Sequence, residues 1–587
     1  MVADAIMNRG PVLARRTFLG AIAAAGATVL AGCSFDSTGS GGAGSGAALK
    51  TLVVSVSQNI DSLDPHYVNN GALVTPWGLL EGLVATDDKG SGVVPAIAEK
   101  WDVSADGLKY TFHLRSTAKF SNGDPITAKD FEWTYQRLLA PTGAGSAATD
   151  GANSYKPSLG IVGATDFLAG TITDWSKVGI KATADDTLEI TLATPNSAFL
   201  LGMANVSMLL LHKATIEKHP KDWMQPENWV GSGPYALTAW TPTASIAMKK
   251  HSHYWDADNI HVDAVQGRVL TDNNAALLAY RNNEIQVTVP NFAVISKDKD
   301  LMNQVQEAPG YLVYFLQSMF TKHPAGADAR VRQALGKAID RKALAKIAVG
   351  QLPGPSTVPQ AVPGWDESLA IDFDLAGAKK LLDEAGYAGG KGMPTIQILD
   401  FASNPFIEAT LQMWEELGVK TKYNIVDVGQ YSDIRYKPIE DPNLWGYSAN
   451  TFGGLPTWNN WVIDCWGPAS LPFFSLPTDQ VDAYLAIQAD ESLDGATKTA
   501  RLASMIDSYG SAEAKRFVKL ANAAAAEPDE SARIKGFNEA AGLRQQMGYQ
   551  IPLMWGPNPL MVKPTVKNLH VNYSPSGFYV KGIEGSK

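Results

Sequence analysis

The first 33 residues differ from the rest of the chain, and they set the surroundings in which the remainder must fold. Arg15 and Arg16 precede a run of small apolar residues that closes on Leu30-Ala31-Gly32-Cys33. A basic start, a short apolar stretch and small residues before a cleavage point are typical of a signal peptide. The paired arginines resemble a twin-arginine export signal. The closing Leu-Ala-Gly-Cys resembles a lipoprotein cleavage site, whose cysteine becomes the lipidated first residue.

An uncleaved membrane anchor is the alternative interpretation of this segment. The apolar stretch at 18–31 has 14 residues, whereas a helix needs about 20 to cross a bilayer. We therefore predict a signal peptide at 1–32 and a lipidated Cys33 followed by a Gly/Ser-rich tether at 33–49, whose composition favours a flexible coil. Either interpretation places the bulk of the chain on the outer face of the cytoplasmic membrane, at the cell surface or in the periplasm.

The mature chain must fold without covalent cross-links. Its two cysteines are Cys33 and Cys465, and a lipidated Cys33 leaves Cys465 without a partner in the chain. Removal of 1–32 leaves 555 residues, enough for two or three domains. It also takes away three arginines and one aspartate, which changes the net charge from −10 to −12. This balance argues against nucleic acid as a partner, because phosphate binding needs clustered Lys and Arg.

Alternating apolar residues predict antiparallel strands in the first part of the chain. Leu52, Val54 and Val56 follow this period, and the stretches at 108–115 and 187–192 follow it more strongly. Such a period is typical of strands with one face toward solvent.

The second half carries a helical period instead. One helix is predicted from Asp328 to a stop before Gly350, and another from Asp374 to Gly386. A strand at 395–399, a helix at 405–417 and a strand at 419–428 have the spacing of a parallel βαβ unit. Residues 512–526 form a further Ala-rich helix. The pattern predicts two mixed α/β lobes, with a strand-rich insert in the first and a ligand cleft between them.

The sequence carries no recognisable catalytic motif. Zinc-protease, nucleophile-elbow and phosphate-loop patterns are absent from the chain. A metal site at His251, His253 and His261 stays open as an alternative to a structural role, and Cys465 is interpreted as an inert thiol. We predict no enzyme, no catalytic residue, no bound metal and no cofactor.

The strand segments closely resemble the extracytoplasmic solute-binding proteins of peptide and nickel ABC importers, family 5, and most of all the oligopeptide-binding branch. The matching segments follow one order through the chain: 59–66, 80–84, 94–101, 104–115, 119–131, 231–235, 254–255, 328–335, 338–341 and 381–387.

The resemblance implies a periplasmic-binding-protein-like type II fold (cluster C), with two α/β lobes joined by a two-segment hinge and an extra strand-rich domain in the first lobe. The implied ranges are 50–82 with 200–308 and 558–587 for lobe I, 83–199 for the extra domain, and 309–557 for lobe II, in which 459–527 is a lineage-specific elaboration.

The resemblance also implies function. The protein would be a monomeric, lipid-anchored receptor that captures oligopeptides between its lobes and delivers them to ABC permease subunits in the membrane. The residues placed at the cleft by this resemblance are Asn69, Asn70, Tyr431, Arg435, Trp555 and Asn558. Phe452 and Trp458 are added as candidate ligand contacts because they belong to an aromatic cluster at 445–466, for which packing within the lobe is the alternative. Arg435 would hold a ligand carboxylate.

One departure from the family pattern leaves the ligand open. Oligopeptide binders carry an Asp before the equivalent of Pro456 to pair with the peptide ammonium, whereas residues 448–456 contain no carboxylate. An unpaired ammonium in a dry cleft would be costly. Tryptophans also cluster in this region. A receptor for oligosaccharide or another uncharged solute, a metal-chelate receptor, and a surface hydrolase or signalling lipoprotein on the same fold are the alternatives.

Overall fold

The structure is a computed structural model. It describes residues 49–66, 75–88, 92–140, 159–196, 198–318, 324–435, 444–452, 458, 461–462, 480, 483–484, 486–487, 490, 493, 495–527, 529–571 and 578–585.

The strands of the described residues, numbered in chain order, are β1 Thr51–Val56, β2 Val84–Thr86, β3 Val93–Pro95, β4 Ala98–Val103, β5 Lys109–Leu114, β6 Ile180–Ala184, β7 Thr187–Thr191, β8 Tyr235–Thr241, β9 Ser245–Lys250, β10 Ala264–Val269, β11 Val287–Thr288, β12 Val305–Ser318, β13 Leu352–Pro353, β14 Ile396–Asp400, β15 Thr421–Ile425, β16 Leu444–Phe452, β17 Gln550–Val562, β18 Val566–Lys567 and β19 Glu584–Gly585.

The helices are α1 Ala128–Leu139, α2 Ala164–Leu168, α3 Phe199–Met203, α4 Lys213–Lys218, α5 Asn273–Arg281, α6 Phe292–Ile295, α7 Lys299–Met302, α8 Pro324–Ala327, α9 Ala329–Lys337, α10 Arg341–Ile347, α11 Leu375–Glu384, α12 Pro405–Glu415, α13 Val428–Arg435, α14 Gly495–Tyr509, α15 Ala512–Ala526 and α16 Glu530–Met547.

One large mixed sheet runs through both lobes. Its strand order is β15-β14-β16-β12-β17-β11-β1-β10-β9-β8, with β13 paired to β17. The two central strands, β12 and β17, have 14 and 13 residues. They are long enough to contribute to both halves of the sheet, so they connect lobe II on the β14–β16 side to lobe I on the β1 and β8–β11 side.

The extra domain is built on an antiparallel sheet of order β4-β5-β7-β6. The predicted strands at 108–115 and 187–192 are confirmed as β5 and β7, which pair with each other from Lys109↔Thr191 to His113↔Thr187. Along both strands buried residues alternate with more exposed ones. This one-sided burial is the reason that the alternating pattern was readable in the sequence.

The predicted parallel unit in lobe II is confirmed. β14 and β15 pair in parallel from Ile396↔Thr421 to Asp400↔Ile425, and α12 connects them. The Ala-rich helix is confirmed as α15. The helix predicted from Asp374 is confirmed as α11, with the Asp374 side chain accepting a hydrogen bond from Gly377 N.

The single helix predicted between Asp328 and Gly350 is wrong. The chain forms two helices there, α9 and α10, separated at residues 338–340. Asp328 caps the first helix, as predicted, but Asp340 caps a second one by accepting a hydrogen bond from Ala343 N at 3.0 Å. Val331, Leu335 and Ile339 are buried in one core, so a continuous apolar period spanned a break in the backbone helix.

Among the described residues, no helix has the length and apolar character needed to cross a membrane.

Candidate ligand cleft

The pairing of the two long strands is interrupted beside the predicted boundary between the lobes. Their pairing shifts register between Ala308, opposite Asn558, and Leu312, opposite Gly556. Inside this interval Gly310 packs directly on the Gly556 carbonyl, so closely that a Cβ atom on Gly310 would lie 1.3 Å from that oxygen. Only glycine fits there, and the irregular pairing leaves this stretch with fewer restraints than the flanking ladders.

The carboxyl ends of the parallel strands in lobe II open onto the same region. β14 pairs with β15 on one side and with β16 on the other, as far as Leu399↔Tyr447. The order reverses at β14, and ligands of α/β proteins bind outside such a switch point. β16 continues beyond β14 to Phe452, and in the described part of the chain its residues past Tyr447 pair with β12 alone. Within the described ranges, no strand pairs with the second backbone edge of β16 at this point.

A group of aromatic and acidic side chains lies at and after the carboxyl ends of β14 and β15. Tyr431 of α13 is buried, and its ring meets the exposed ring of Phe401 edge-on at 5.2 Å. Asp400, at the end of β14, is buried and accepts hydrogen bonds from Tyr423 Oη and Phe401 N, both at 2.8 Å. Burial, followed by the bond to Asp400, raises the pKa of Tyr423. Tyr423 thus stays a neutral donor that fixes the Asp400 carboxylate.

The backbone of Arg435 ends α13, and that of Phe452 ends β16, so both predicted cleft residues follow elements at the carboxyl-end side of the lobe II sheet. Their side chains, together with residues 453–457, lie outside the described part of the chain, as do Asn69 and Asn70. The predictions for these residues stand untested.

Trp555 and Asn558 lie on β17 at the lobe boundary, on either side of Gly556. The Trp555 ring is buried, stands perpendicular to Trp365 at 5.9 Å, and donates its indole N–H to Ser356 O at 2.9 Å. Asn558 is half-buried opposite Ala308. Both residues lie beside the predicted lobe boundary, and the contacts of the Trp555 side chain are with lobe II.

Trp458 and Trp461 are packed within lobe II. Trp458 stacks on Phe537 at 6.3 Å with the ring planes 6° apart, and its indole N–H donates to Pro363 O. Trp461 is completely buried. Both belong to one apolar cluster with helices α14–α16, so in this arrangement they present no open indole face.

A buried charge cluster anchors the lobe I segment that precedes residues 67–74. Arg137 of α1 contacts Asp64 through both terminal nitrogens, at 2.5 and 3.1 Å, and lies 2.6 Å from His66 Nδ1. Burial alone would raise the pKa of Asp64, but the Arg137 charge, helped by His66 and by hydrogen bonds, brings that pKa below its usual value. Sequence reasoning missed this cluster.

The histidine group does not assemble. His251 lies 2.9 Å from Gly233 O, and His253 lies 3.0 Å from Ser121 O, both in the turn after β9 rather than on a strand. His261 lies beside Glu584. Within the described residues, no group of three or more His, Cys, Asp or Glu side chains is placed to hold a metal ion. Cys33 and Cys465 lie outside those residues.

Residues 92–465 match the profile of the bacterial extracellular solute-binding proteins, family 5 (Middle). The chain belongs to this family. The periplasmic oligopeptide-binding protein OppA of Salmonella typhimurium is 30% identical over 423 residues, which cover 68% of this chain and 75% of OppA. The probable deoxycholate-binding periplasmic protein YgiS of Escherichia coli is 33% identical over 335 residues, 56% of this chain and 61% of YgiS.

Solved structures show the same fold. The unliganded open form of the murein tripeptide-binding protein MppA superimposes with a TM-score of 0.74 at 24% identity, covering 92% of this chain and 98% of MppA. Haemophilus influenzae OppA in complex with the peptide RPPGFSPFR gives 0.60 at 22% identity, covering 92% and 99%. The predicted type II fold is confirmed, and the chain is an extracytoplasmic solute-binding protein of an ABC importer.

Proposed function

We propose that this family 5 receptor captures oligopeptides and holds them by their backbone along the open edge of β16. The observation that carries the proposal is the unpaired stretch of β16 beyond Tyr447, at the carboxyl ends of parallel strands. An extended peptide can add there as a further strand, with main-chain hydrogen bonds giving affinity and little dependence on side-chain sequence.

Closure of the two lobes completes the binding site. The register break at Ala308 to Leu312, opposite Gly556 to Asn558, lies beside the predicted boundaries at 308/309 and 557/558 and is the proposed hinge. A ligand that contacts both lobes only when they are closed stabilises that state. The closed form is then the one that the membrane permease recognises.

The proposed site has a partner for the terminal carboxylate of the peptide but lacks the usual partner for its terminal ammonium group. Arg435, the last residue of α13, is our proposed partner for the ligand carboxylate. The absence of an acidic residue from 448–456 leaves the ammonium without its usual partner. We therefore propose that peptides whose amino terminus is blocked, or lies outside the dry part of the cleft, bind at least as well as free ones.

Lipid at Cys33 would keep the receptor near its permease. A single acyl chain gives only marginal membrane binding, so multiple acylation at Cys33 is proposed. The tether of about 15 residues gives a reach on the order of 20 Å.

Native mass spectrometry of the purified protein tests the ligand class. We expect co-purified masses that form a peptide ladder, each confirmed by fragmentation. Adding N-acetylated and free forms of a recovered peptide then tests the charge argument. A retained oligosaccharide would replace the peptide proposal by the uncharged-solute alternative.

A further inference from the structure

Gln351 lies where β17 passes from one lobe to the other. It directly precedes β13, which pairs with β17 through Leu352↔Trp555, so Gln351 is beside Gly556. A Cβ atom on Gly556 would lie 3.2 Å from Gln351 Oε1 and 2.9 Å from Leu312 Cδ2. The missing side chain at Gly556 is therefore what gives the carboxamide its place at the lobe boundary.

The Gln351 side-chain oxygen is buried and makes no hydrogen bond within the described residues. The backbone of Gln351 is held separately, by its N–H donating to Ala348 O at 2.9 Å. Burial of an acceptor without a donor is unfavourable, and native proteins satisfy nearly all such groups. An apolar residue would serve the packing of this position better than glutamine does.

A residue of lobe I contacts the residue that precedes Gln351. Phe292 of lobe I packs on Gly350, the residue before Gln351, so closely that a Cβ atom there would lie 2.4 Å from the Phe292 ring. Gly350 has φ = +90°, a conformation that suits glycine. A residue of lobe I therefore contacts the segment that carries Gln351, beside the proposed hinge.

We propose that Gln351 is a specificity-determining residue of the cleft, whose carboxamide oxygen accepts a hydrogen bond from an N–H group of the bound ligand. This inference rests on the proposed function, in which the cleft takes peptides, whose amides supply such donors. Among the described residues no group donates to this oxygen, so no hydrogen bond between them explains a glutamine at this position.

The test uses the full-length protein and two substitutions. Gln351→Met removes the acceptor at nearly constant volume, and Gln351→Asn keeps a neutral carboxamide on a side chain one methylene shorter. Gln306→Met, at an exposed position on β12, is the matched control. The probe is a synthetic peptide of the sequence recovered with the wild-type protein, or an equimolar library of random tetrapeptides if none is recovered. Affinity is measured by calorimetry and stability by thermal unfolding.

We expect Gln351→Met to bind the peptide about 10-fold more weakly, the loss of one hydrogen bond in a dry site, with an unchanged or higher Tm. Gln351→Asn should bind the peptide more tightly than Gln351→Met, and Gln306→Met should retain wild-type affinity within about threefold. Wild-type affinity in Gln351→Met, or a lowered Tm with equal loss of binding in both Gln351 variants, overturns the inference while the proposed function stands. A wild-type protein that binds no peptide overturns both.

Discussion

The pairing of Asp64 with Arg137 decides the stability of the lobe I end of the cleft. The Asp64 side chain is 3% exposed and that of Arg137 is 13% exposed. Removal of one partner from a buried ion pair leaves the other charge without compensation, which costs more than the pair contributes. This pair also joins the extra domain to lobe I, because Arg137 belongs to α1 and Asp64 to the segment after β1.

We therefore predict that Arg137→Met lowers the free energy of unfolding by about 3–5 kcal/mol at pH 7. The change of stability with pH follows from the direction in which the pKa of Asp64 is shifted. In the wild type the lowered pKa of Asp64 contributes stability above the usual aspartate range, and this is lost as the pH falls through the lowered pKa. In the variant, burial acts without Arg137 and raises that pKa, so ionised Asp64 destabilises the fold at neutral pH.

Urea unfolding at pH 7 and at pH 4.5 checks this prediction. The stability difference between wild type and Arg137→Met should shrink toward the lower pH. The double variant Asp64→Asn/Arg137→Met should recover most of the lost stability, because it removes both charges. A difference independent of pH, unchanged in the double variant, would assign the effect to lost packing of the arginine stem instead.

For single residues, the sequence predicts whether a side chain is buried or exposed better than it predicts which residue that side chain contacts. Asp64 and Arg137 are 73 positions apart, and neither has a neighbouring signal for the other. Trp458 shows the same limit: an aromatic-rich stretch is compatible with a ligand surface or with packing, and only the structure shows that its ring stacks on Phe537 of a distant helix. Such pairings follow from tertiary packing, which periodicity does not contain.

Among the elements, β16 makes the most direct prediction about binding. Its backbone groups past Tyr447 have β12 on one side, and an added peptide strand would pair with the other side. We expect slower amide hydrogen exchange in residues 448–452 when peptide is bound, by at least a factor of about ten, since exchange then requires opening of the added ladder.

Hydrogen-exchange mass spectrometry with and without a recovered peptide makes this measurement. The β7 segment in the extra domain, already paired on both sides with β5 and β6, is the internal control and should show no change. Unchanged exchange over 448–452 in a sample that calorimetry shows to be saturated would rule out strand addition at β16.

The sequence predicts helices and strands that expose a single face, because their apolar residues recur at a regular spacing. It does not predict a break in the backbone where that spacing continues. β5, β7, α11 and α15 follow their periods closely. The sequence predicts α9 and α10 as one helix because Val331, Leu335 and Ile339 keep a helical period through the break. The residue that indicates the break is Asp340, which caps a second helix by accepting a hydrogen bond from Ala343 N. The apolar period favours a continuous helix instead.

At the scale of the whole molecule, the sharing of one sheet by two lobes is the feature that the sequence conceals. β12 and β17 pair over nearly their full lengths although more than 200 residues separate them. Local patterns indicate two α/β lobes and a cleft. They do not show that the same two strands provide both the connection and the cleft floor, because each strand has its partners on both sides of the boundary.

The contact between Gly310 and Gly556 leads to a prediction about this connection. Gly310→Ala should lower the free energy of unfolding by about 3 kcal/mol or more, because the new methyl group must displace the backbone of β17. It should also weaken peptide binding by disturbing the hinge. Gly542→Ala in α16 is the control: its Cβ would lie 3.7 Å from Leu369 Cδ2, an ordinary van der Waals contact, so helix propensity predicts equal or higher stability. Wild-type stability and affinity in Gly310→Ala would show that β17 can yield at no cost.

Closure itself is measurable as a distance between the lobes. Spin labels at Lys218→Cys in α4 and Lys380→Cys in α11, both exposed, report on lobes I and II in a background with Cys465→Ser. The unliganded protein should give a broad distance distribution, because the irregular stretch of β12 and β17 permits several arrangements, and saturating peptide should shift it to a shorter, narrower one.

A closed state populated at 1% without ligand reaches 99% only if the ligand binds it about 10⁴-fold more tightly than the open state, so incomplete conversion measures the differential affinity of the two states. Labels at Lys218→Cys and Asp258→Cys within lobe I should not move. A between-lobe distribution that stays broad at saturation would mean that the peptide contacts one lobe only, and that the permease must distinguish loaded from empty receptor by some means other than closure.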